Sequence, residues 1–429
     1  MLQSSDKTMD KKTYMYYTDI LRRELIPASG CTEPIALAYA SALARDLLDG
    51  RPQKIEAFIS GSIIKNAKSV TVPNTGGLKG IEAAIAAGVV EGIADKKLEV
   101  LSGAAEGAGE RIESFMKECP IQVRLARTEE LFDITLEFEK EEHSSSVHIC
   151  GHHTNVVQTK KDGEICYQQE TGMTDEVQGS PMSISEIFEF ASTCDLCLVQ
   201  DIIERQILYN TALSRAGLEG NWGAQIGRIQ WKHAGEQDTL MRARARAAAG
   251  SDARMSGCEL PAVINSGSGN QGITVTMPVV EYAQALHAGR EQEIRALVLA
   301  NLTAIRIKQE IGCLSAYCGA VCAGCAAGAG VAYLHDAGLS VIEHTVVNGL
   351  AILSGTICDG AKPSCAAKIS MAVEAGIMGF QMAQEGREFI HGEGIIKKGI
   401  ENTIREVGEL GREGMQQTNQ VILNIMLKK

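Results

Sequence analysis

Apolar side chains recur at helical spacing over residues 10–26, and Pro27 ends that run. PASGCTEP then reads as a turn, and Pro34 opens the next helix, IALAYASALARDLLDG. Leu37, Ala40, Leu43 and Leu47 fall on one face of it, with Gly50 as its C-terminal stop. KIEAFISGSIIKNA begins like a strand, KSVTVPNTGG reads as a strand end plus loop, and GIEAAIAAGVVEGIADKKL is a helix of small residues. Strict alternation follows in IQVRLAR, FDITLEFEKEE, SSSVHICGHHTNVVQTKK and EICYQQE, which predicts an antiparallel sheet over roughly residues 120–170. TGMTDEVQGSP is a linker by composition. From Ser183 the period becomes helical again. Ser183 and Glu186 form a capping box ahead of IFEFASTCDLCLVQDIIERQILYN. Residues 207–250 add more helix, including MRARARAAAG. After the NSGSGNQG loop comes a short apolar piece, ITVTMP, rather than a helix, and then helices to the end.

The predicted fold class is therefore α+β. Residues 1–180 form an N-terminal α/β part with the antiparallel sheet and the Cys31 turn, and residues 181–429 an all-helical C-terminal domain. No internal repeat interrupts that division.

The hydrophobic fraction of 45% and charged fraction of 22% suit a soluble globular chain. The net charge of −12 argues against nucleic acid, whose phosphates need a basic face, and points to a small charged metabolite. No secretory h-region opens the chain. One uncharged run, Cys313 to Leu334, has the length of a membrane span, but its Ala, Gly and Cys content reads better as a buried helix. Thirteen cysteines without a secretion signal point to a reducing, cytoplasmic setting, where cysteines serve as metal ligands, catalysts or small core residues rather than in disulfides. The Ala/Gly-rich composition suggests a homo-oligomer.

Cys358 and Cys365 lie in SGTICDGAKPSCAAKIS, a Gly- and Pro-rich loop that leads into a helix. Such a loop lets thiolates turn inward, and Cys365 in a helix's first turn gains from the positive end of the dipole. Metal binding and simple burial both fit the spacing, which matches neither a ferredoxin nor a zinc finger. Cys313, Cys318, Cys322 and Cys325 offer a third ligand. Cys322 and Cys325 read as core residues of a helix, as do Cys194 and Cys197, and chemistry does not rank Cys313 against Cys318. Cys31 stands just before a helix N-terminus, a place that lowers a thiol pKa and suits a base or nucleophile; it reads equally as a turn cysteine. Gly267, Gly269 and Gly272 spell a G-x-G-x-x-G outside a βαβ unit, so the loop reads as an anion cradle of backbone amides. His152 and His153 are taken as strand neighbours on opposite faces, a poor chelating pair.

With PASGCTEP, LSAYCG, SGSGNQG and SGTICDGAKPSC in that order, the chain resembles the L-cysteine desulfidase family, the YhaM-type UPF0597 group. That group is related to the α-chain of iron–sulfur L-serine dehydratases. The resemblance implies an oxygen-sensitive [4Fe–4S] cluster on Cys318, Cys358 and Cys365 with one iron open, Cys313 being the fallback ligand. It implies Cys31 as the catalytic base. It also implies β-elimination from L-cysteine to pyruvate, ammonia and hydrogen sulfide. Ser268, Gly269 and Asn270 are the expected holders of the substrate carboxylate. Alternatives are an L-serine dehydratase with the same cluster, a non-catalytic iron–sulfur redox sensor, a membrane component, or a pyridoxal-phosphate enzyme using Lys362.

Overall fold

The computed structural model describes residues 9–169, 182–312 and 314–428, so the expected linker and Cys313 lie outside the described residues. The N-terminal elements are α1 (Lys11–Glu24), β1 (Pro27–Ser29), α2 (Thr32–Leu47), β2 (Lys54–Ile59), α3 (Gly61–Ala67), α4 (Ile81–Glu91) and α5 (Ala108–Glu118). Five strands follow: β3 (Ile121–Leu125), β4 (Asp133–Lys140), β5 (His143–Cys150), β6 (Val156–Lys161) and β7 (Glu164–Gln168). Next come α6 (Ile184–Thr193), α7 (Gln200–Glu219), α8 (Ile226–His233), α9 (Thr239–Met255) and the short strand β8 (Pro261–Val263). The rest is helical: α10 (Gly269–Ala285), α11 (Arg290–Ile311), α12 (Gly319–Leu334), α13 (Leu339–Leu353), α14 (Cys365–Gln384), α15 (Ile400–Glu409) and α16 (Gln416–Leu427). The α+β class stands.

The sheet is mixed, in the order β3-β2-β4-β5-β6-β7, because β2 pairs parallel with β3 and antiparallel with β4. The alternation that predicted β4 and β5 is the burial pattern itself. Ile134, Leu136, Phe138, Val147 and Ile149 face the helices α2 and α4, while Asp133, Thr135, His148 and Cys150 share the outer face. The strand end expected in KSVTVPNTGG is reduced to an isolated bridge between Thr71 and Lys79, and the short helix α3 lies between β2 and it.

A second core is helical. α12 is buried along its length and packs against α10, α11, α13 and α14. It is 16 residues, and no described helix is long and apolar enough to cross a membrane. Small residues allow the contact with α14: a Cβ on Gly376 would lie 2.7 Å from the carbonyl carbon of Gly324. Gly376→Ala is therefore expected to destabilise the protein by about 1–3 kcal/mol through overpacking. A denaturant melt unchanged from wild type would count against that packing. The chain ties the two cores together at both ends, since α1 packs with the helical core and Leu423 of α16 with the sheet core.

Two local expectations change. The helix predicted from Ile187 onward breaks at Cys194 into α6 and α7, because Asp195 caps the backbone of Cys197 in a single 3₁₀ turn. Ser183 does cap the amide of Glu186, but Glu186 accepts from the Ser183 hydroxyl instead of reaching back to its amide. ITVTMP is not an extended piece. It forms the second and third turns of α10, where complete burial outweighs the β preference of Ile273, Thr274, Val275 and Thr276.

Candidate active site

The N-termini of four helices meet at one place between the two cores. Cys31 is the N-cap of α2, Ser268 of α10 and Cys318 of α12, while Cys365 is the first residue of α14. Thr32 Oγ1 donates to the carbonyl of Gly267 at 2.9 Å, which joins the α2 start to the α10 loop. Gln271 lies where a Cβ on Gly319 would stand, 2.7 Å from its Cδ, which joins α10 to α12. Met255 packs with Cys31, and Ala361 and Cys365 pack against them. The stretches singled out in the sequence thus converge, with their positive helix ends aimed inward.

Cys318 and Cys358 are placed by their backbones. The amide of Cys318 donates to the carbonyl of Thr356 at 3.0 Å, and that of Cys358 to the carbonyl of Ala316 at 2.6 Å. The loop to Cys365 is locked by Asp359, whose carboxylate meets Lys362 Nζ at 2.6 Å and Lys368 Nζ at 2.5 Å. Burial opposes its ionisation, but those two ammonium groups hold its carboxyl at about 2. Lys362 also donates to the carbonyls of Asp359 and Gly360, so it serves as a clamp of this loop rather than a free amine for a Schiff base. Burial, and then the neighbouring sulfurs of Cys358 and Cys365, push the Cys318 thiol up to about 12. Thiolates crowded together repel one another, so three of them at one place need a cation among them. The residues present therefore fit a cluster held by Cys318, Cys358 and Cys365. Cys322 and Cys325 are buried inside α12, away from a loop, as core cysteines.

Cys31 departs from the expectation drawn from its position. Its thiol lies well above the usual range, first because it is buried and next because Glu33 is beside it. It keeps its proton and donates it to Glu33 Oε2 at 3.0 Å. A helix N-terminus lowers a thiol pKa only when burial and a carboxylate do not oppose it. Burial works against ionisation of Glu33 as well. The field of His153, the Cys31 thiol and the Asn66 amide, the last at 3.0 Å, outweigh it and hold the carboxyl below its usual range. Burial pushes His153 down, toward the neutral imidazole. With His153 neutral, the two hydrogen bonds still favour the Glu33 carboxylate.

His153 is a residue the alternation argument placed wrongly. Cys150 ends β5, and Gly151, at φ +80°, begins a turn, so His152 and His153 are not on a strand. The turn carries His153 inward, edge-on to Phe132 with ring centres 4.7 Å apart, and against Gly267. Arg254 of α9 was missed altogether. Its side chain is buried against Gly269, and no described carboxylate pairs with it. Only its position in the helical period, on the buried face of MRARARAAAGSDARM, hinted at it.

The expected carboxylate holders are also here. Ser268 and Gly269 present the α10 N-terminus, and Asn270 Nδ2 rests 3.6 Å from Met255 Sδ. Asn270 Oδ1, Gln271 Oε1, His153 Nε2, Arg254 Nε and Asn66 Oδ1 are all buried without a protein partner. Buried polar atoms in native proteins have partners, so five such atoms around one point mark the seat of a polar ligand.

Comparison with known proteins shows the family. The family model described as serine dehydratase alpha chain matches residues 95–424. A UPF0597 protein of Desulfitobacterium hafniense is 49% identical over 419 residues, covering 97% of both chains. One from Finegoldia magna is 47% identical, over 96% of this chain and 99% of that one. One from Lachnoclostridium phytofermentans is 46% identical over 96% and 100%. With its four converging helix ends and near-full-length likeness to these proteins, the chain belongs to the UPF0597 family, related to the serine dehydratase alpha chain.

Proposed function

We propose that the protein is an L-cysteine desulfidase, a lyase that converts L-cysteine and water to pyruvate, ammonia and hydrogen sulfide. The observation that carries the reading is the unpaired, buried Arg254 guanidinium at the N-terminus of α10, beside Cys31. A small zwitterion with a carboxylate completes that charge. Cys318, Cys358 and Cys365 would hold a [4Fe–4S] cluster, which when bound supplies a Lewis-acidic iron for the β-heteroatom of the substrate.

The chain's own residues do the rest. Arg254, Asn270, the Ser268 hydroxyl and the amide of Gly269 bind the carboxylate. That orients the Cα–H toward Cys31. Glu33 accepts the thiol proton of Cys31, so the sulfur becomes the base for the Cα proton, and Arg254 offsets the negative charge thus formed. Asn66 holds Glu33 in place. As the Cα proton passes to Cys31 the Cβ–S bond breaks and sulfide leaves, and the aminoacrylate that remains hydrolyses in water to pyruvate and ammonia.

A second reading, L-serine dehydratase, is supported by the matching family model. Met255 and Val70 beside Cys31 favour sulfur, because they offer a hydroxyl no strong hydrogen-bond partner. The test is anaerobic reconstitution with iron and sulfide, then assays of sulfide from L-cysteine and of pyruvate from L-cysteine and L-serine. Iron-dependent release of both products from L-cysteine, lost together with the cluster absorbance in Cys358→Ala, is expected. Turnover of L-serine alone would move the assignment to the dehydratase. No cluster uptake at all would refute both.

A further inference from the structure

On the outer face of the sheet, away from the four helix ends, the register of β4 and β5 assembles a second set of metal-type donors. Asp133 stands directly opposite Cys150, and His148 lies two residues before Cys150 on the same strand face. His148 Nε2 and Asp133 Oδ2 are 3.2 Å apart, and one donor atom from each of the three residues lies within 4.8 Å of the others. From these positions we propose that Asp133, His148 and Cys150 form a binding site for a zinc-type divalent cation.

The donor chemistry supports that ion class. A carboxylate, an imidazole and a thiol are ligands that zinc accepts together, whereas calcium and magnesium take oxygen donors. Tetrahedral bonds of ordinary zinc length separate the donors by roughly 3.3–3.8 Å, so side-chain rotation of about 1 Å closes the set. The backbone around it is built for placement. The β5–β6 register shifts between His148 and Ile149, and such a bulge re-aims the side chains beside it. Asp133 is further held as the carboxylate accepting near Thr128, whose Oγ1 is 3.5 Å away.

The three ligands found among the described residues leave a fourth position of a tetrahedral ion. Asp133 and His148 line a pocket of about 600 Å³ whose other wall includes Arg124 and Arg127. A water, or a small anion drawn by Arg127, would take the fourth place. The ion would also clasp the end of β5 at the root of the turn that carries His153 inward, which ties the outer face to the active site by covalent connection alone.

The test uses the full chain with Cys358→Ala, so that the three-cysteine site does not compete for zinc. Zinc affinity is measured by chelator competition in this host and after adding His148→Gln or Cys150→Ser. Circular dichroism and a metal-free melt confirm that each variant folds. The host is expected to bind one zinc, with affinity falling at least about a hundredfold in each double variant, since even outer partners of a metal ligand are worth 10–100-fold. Zinc should raise the melting temperature of the host and leave the two variants unmoved. A host that binds no zinc overturns the proposal, as does equal zinc affinity in the host and either variant.

Discussion

Glu33→Gln is expected to lower the turnover of L-cysteine by at least about a hundredfold, the scale of a lost proton-transfer partner. The change keeps the volume of a buried side chain and removes its charge and one of its two acceptor oxygens. In the structure Glu33 takes hydrogen bonds from two donors, the thiol of Cys31 at 3.0 Å and the amide of Asn66 at 3.0 Å, while the Thr32 hydroxyl gives its proton to the Gly267 carbonyl. A carboxamide has one acceptor oxygen, and its NH₂ must then oppose one of those donors. The Cys31 proton loses its way out. The iron content of the variant should match wild type, because Glu33 touches none of the three loop cysteines. A second reading separates catalysis from mere packing. Burial is the first cause of the raised Cys31 thiol and the Glu33 charge the next, so removing that charge eases ionisation of Cys31. The rising limb of residual activity should therefore move to lower pH. Unchanged kcat, or a limb that stays in place while the protein simply loses stability, would sink the role.

Arg254→Gln should weaken kcat/KM for L-cysteine by about 30-fold to several thousandfold, the range for removing one partner of a buried charge pair, 2–5 kcal/mol. Asn270→Ala, which removes a neutral partner, should cost about tenfold. The asymmetry is the signature of a carboxylate clamp. Arg254→Lys should recover only part of the loss, since an ammonium lacks the planar fork that pairs two oxygens. Substrate analogues without the carboxylate provide the control: wild type and Arg254→Gln should bind a cysteine amide equally poorly. If the variant loses as much affinity for the amide as for cysteine, Arg254 holds the fold and not the substrate.

These two residues show where reading the chain alone reached its end. Local signals carried the architecture. The alternation of β4 and β5, Pro34 in the first turn of α2 and the loop before α14 are short-range patterns, and the structure places their elements where the patterns put them. The positions of Cys31 and Cys365 at helix starts were legible for the same reason, because caps and turns are written in adjacent residues. The α10 start was misjudged. Its β-branched run has a weak local preference for strand, and burial on all sides overrides it.

What the sequence by itself determined is therefore the class of fold, the list of chemically capable side chains and the family motifs that carry them. Tertiary structure decided which of those side chains share a space and in what ionic state. Cys31 looked acidified by its helix, yet it is held protonated by Glu33 two residues away and by the loss of water around it. Arg254 looked like one of several arginines on a helix, yet it alone is turned inward onto the α10 loop without a carboxylate. His153 enters the site because Gly151 takes a left-handed turn and the Asp133–Cys150 strand pairing ends there. Solvation and Coulomb energies depend on distances between residues far apart in the chain, and only the folded packing sets those distances.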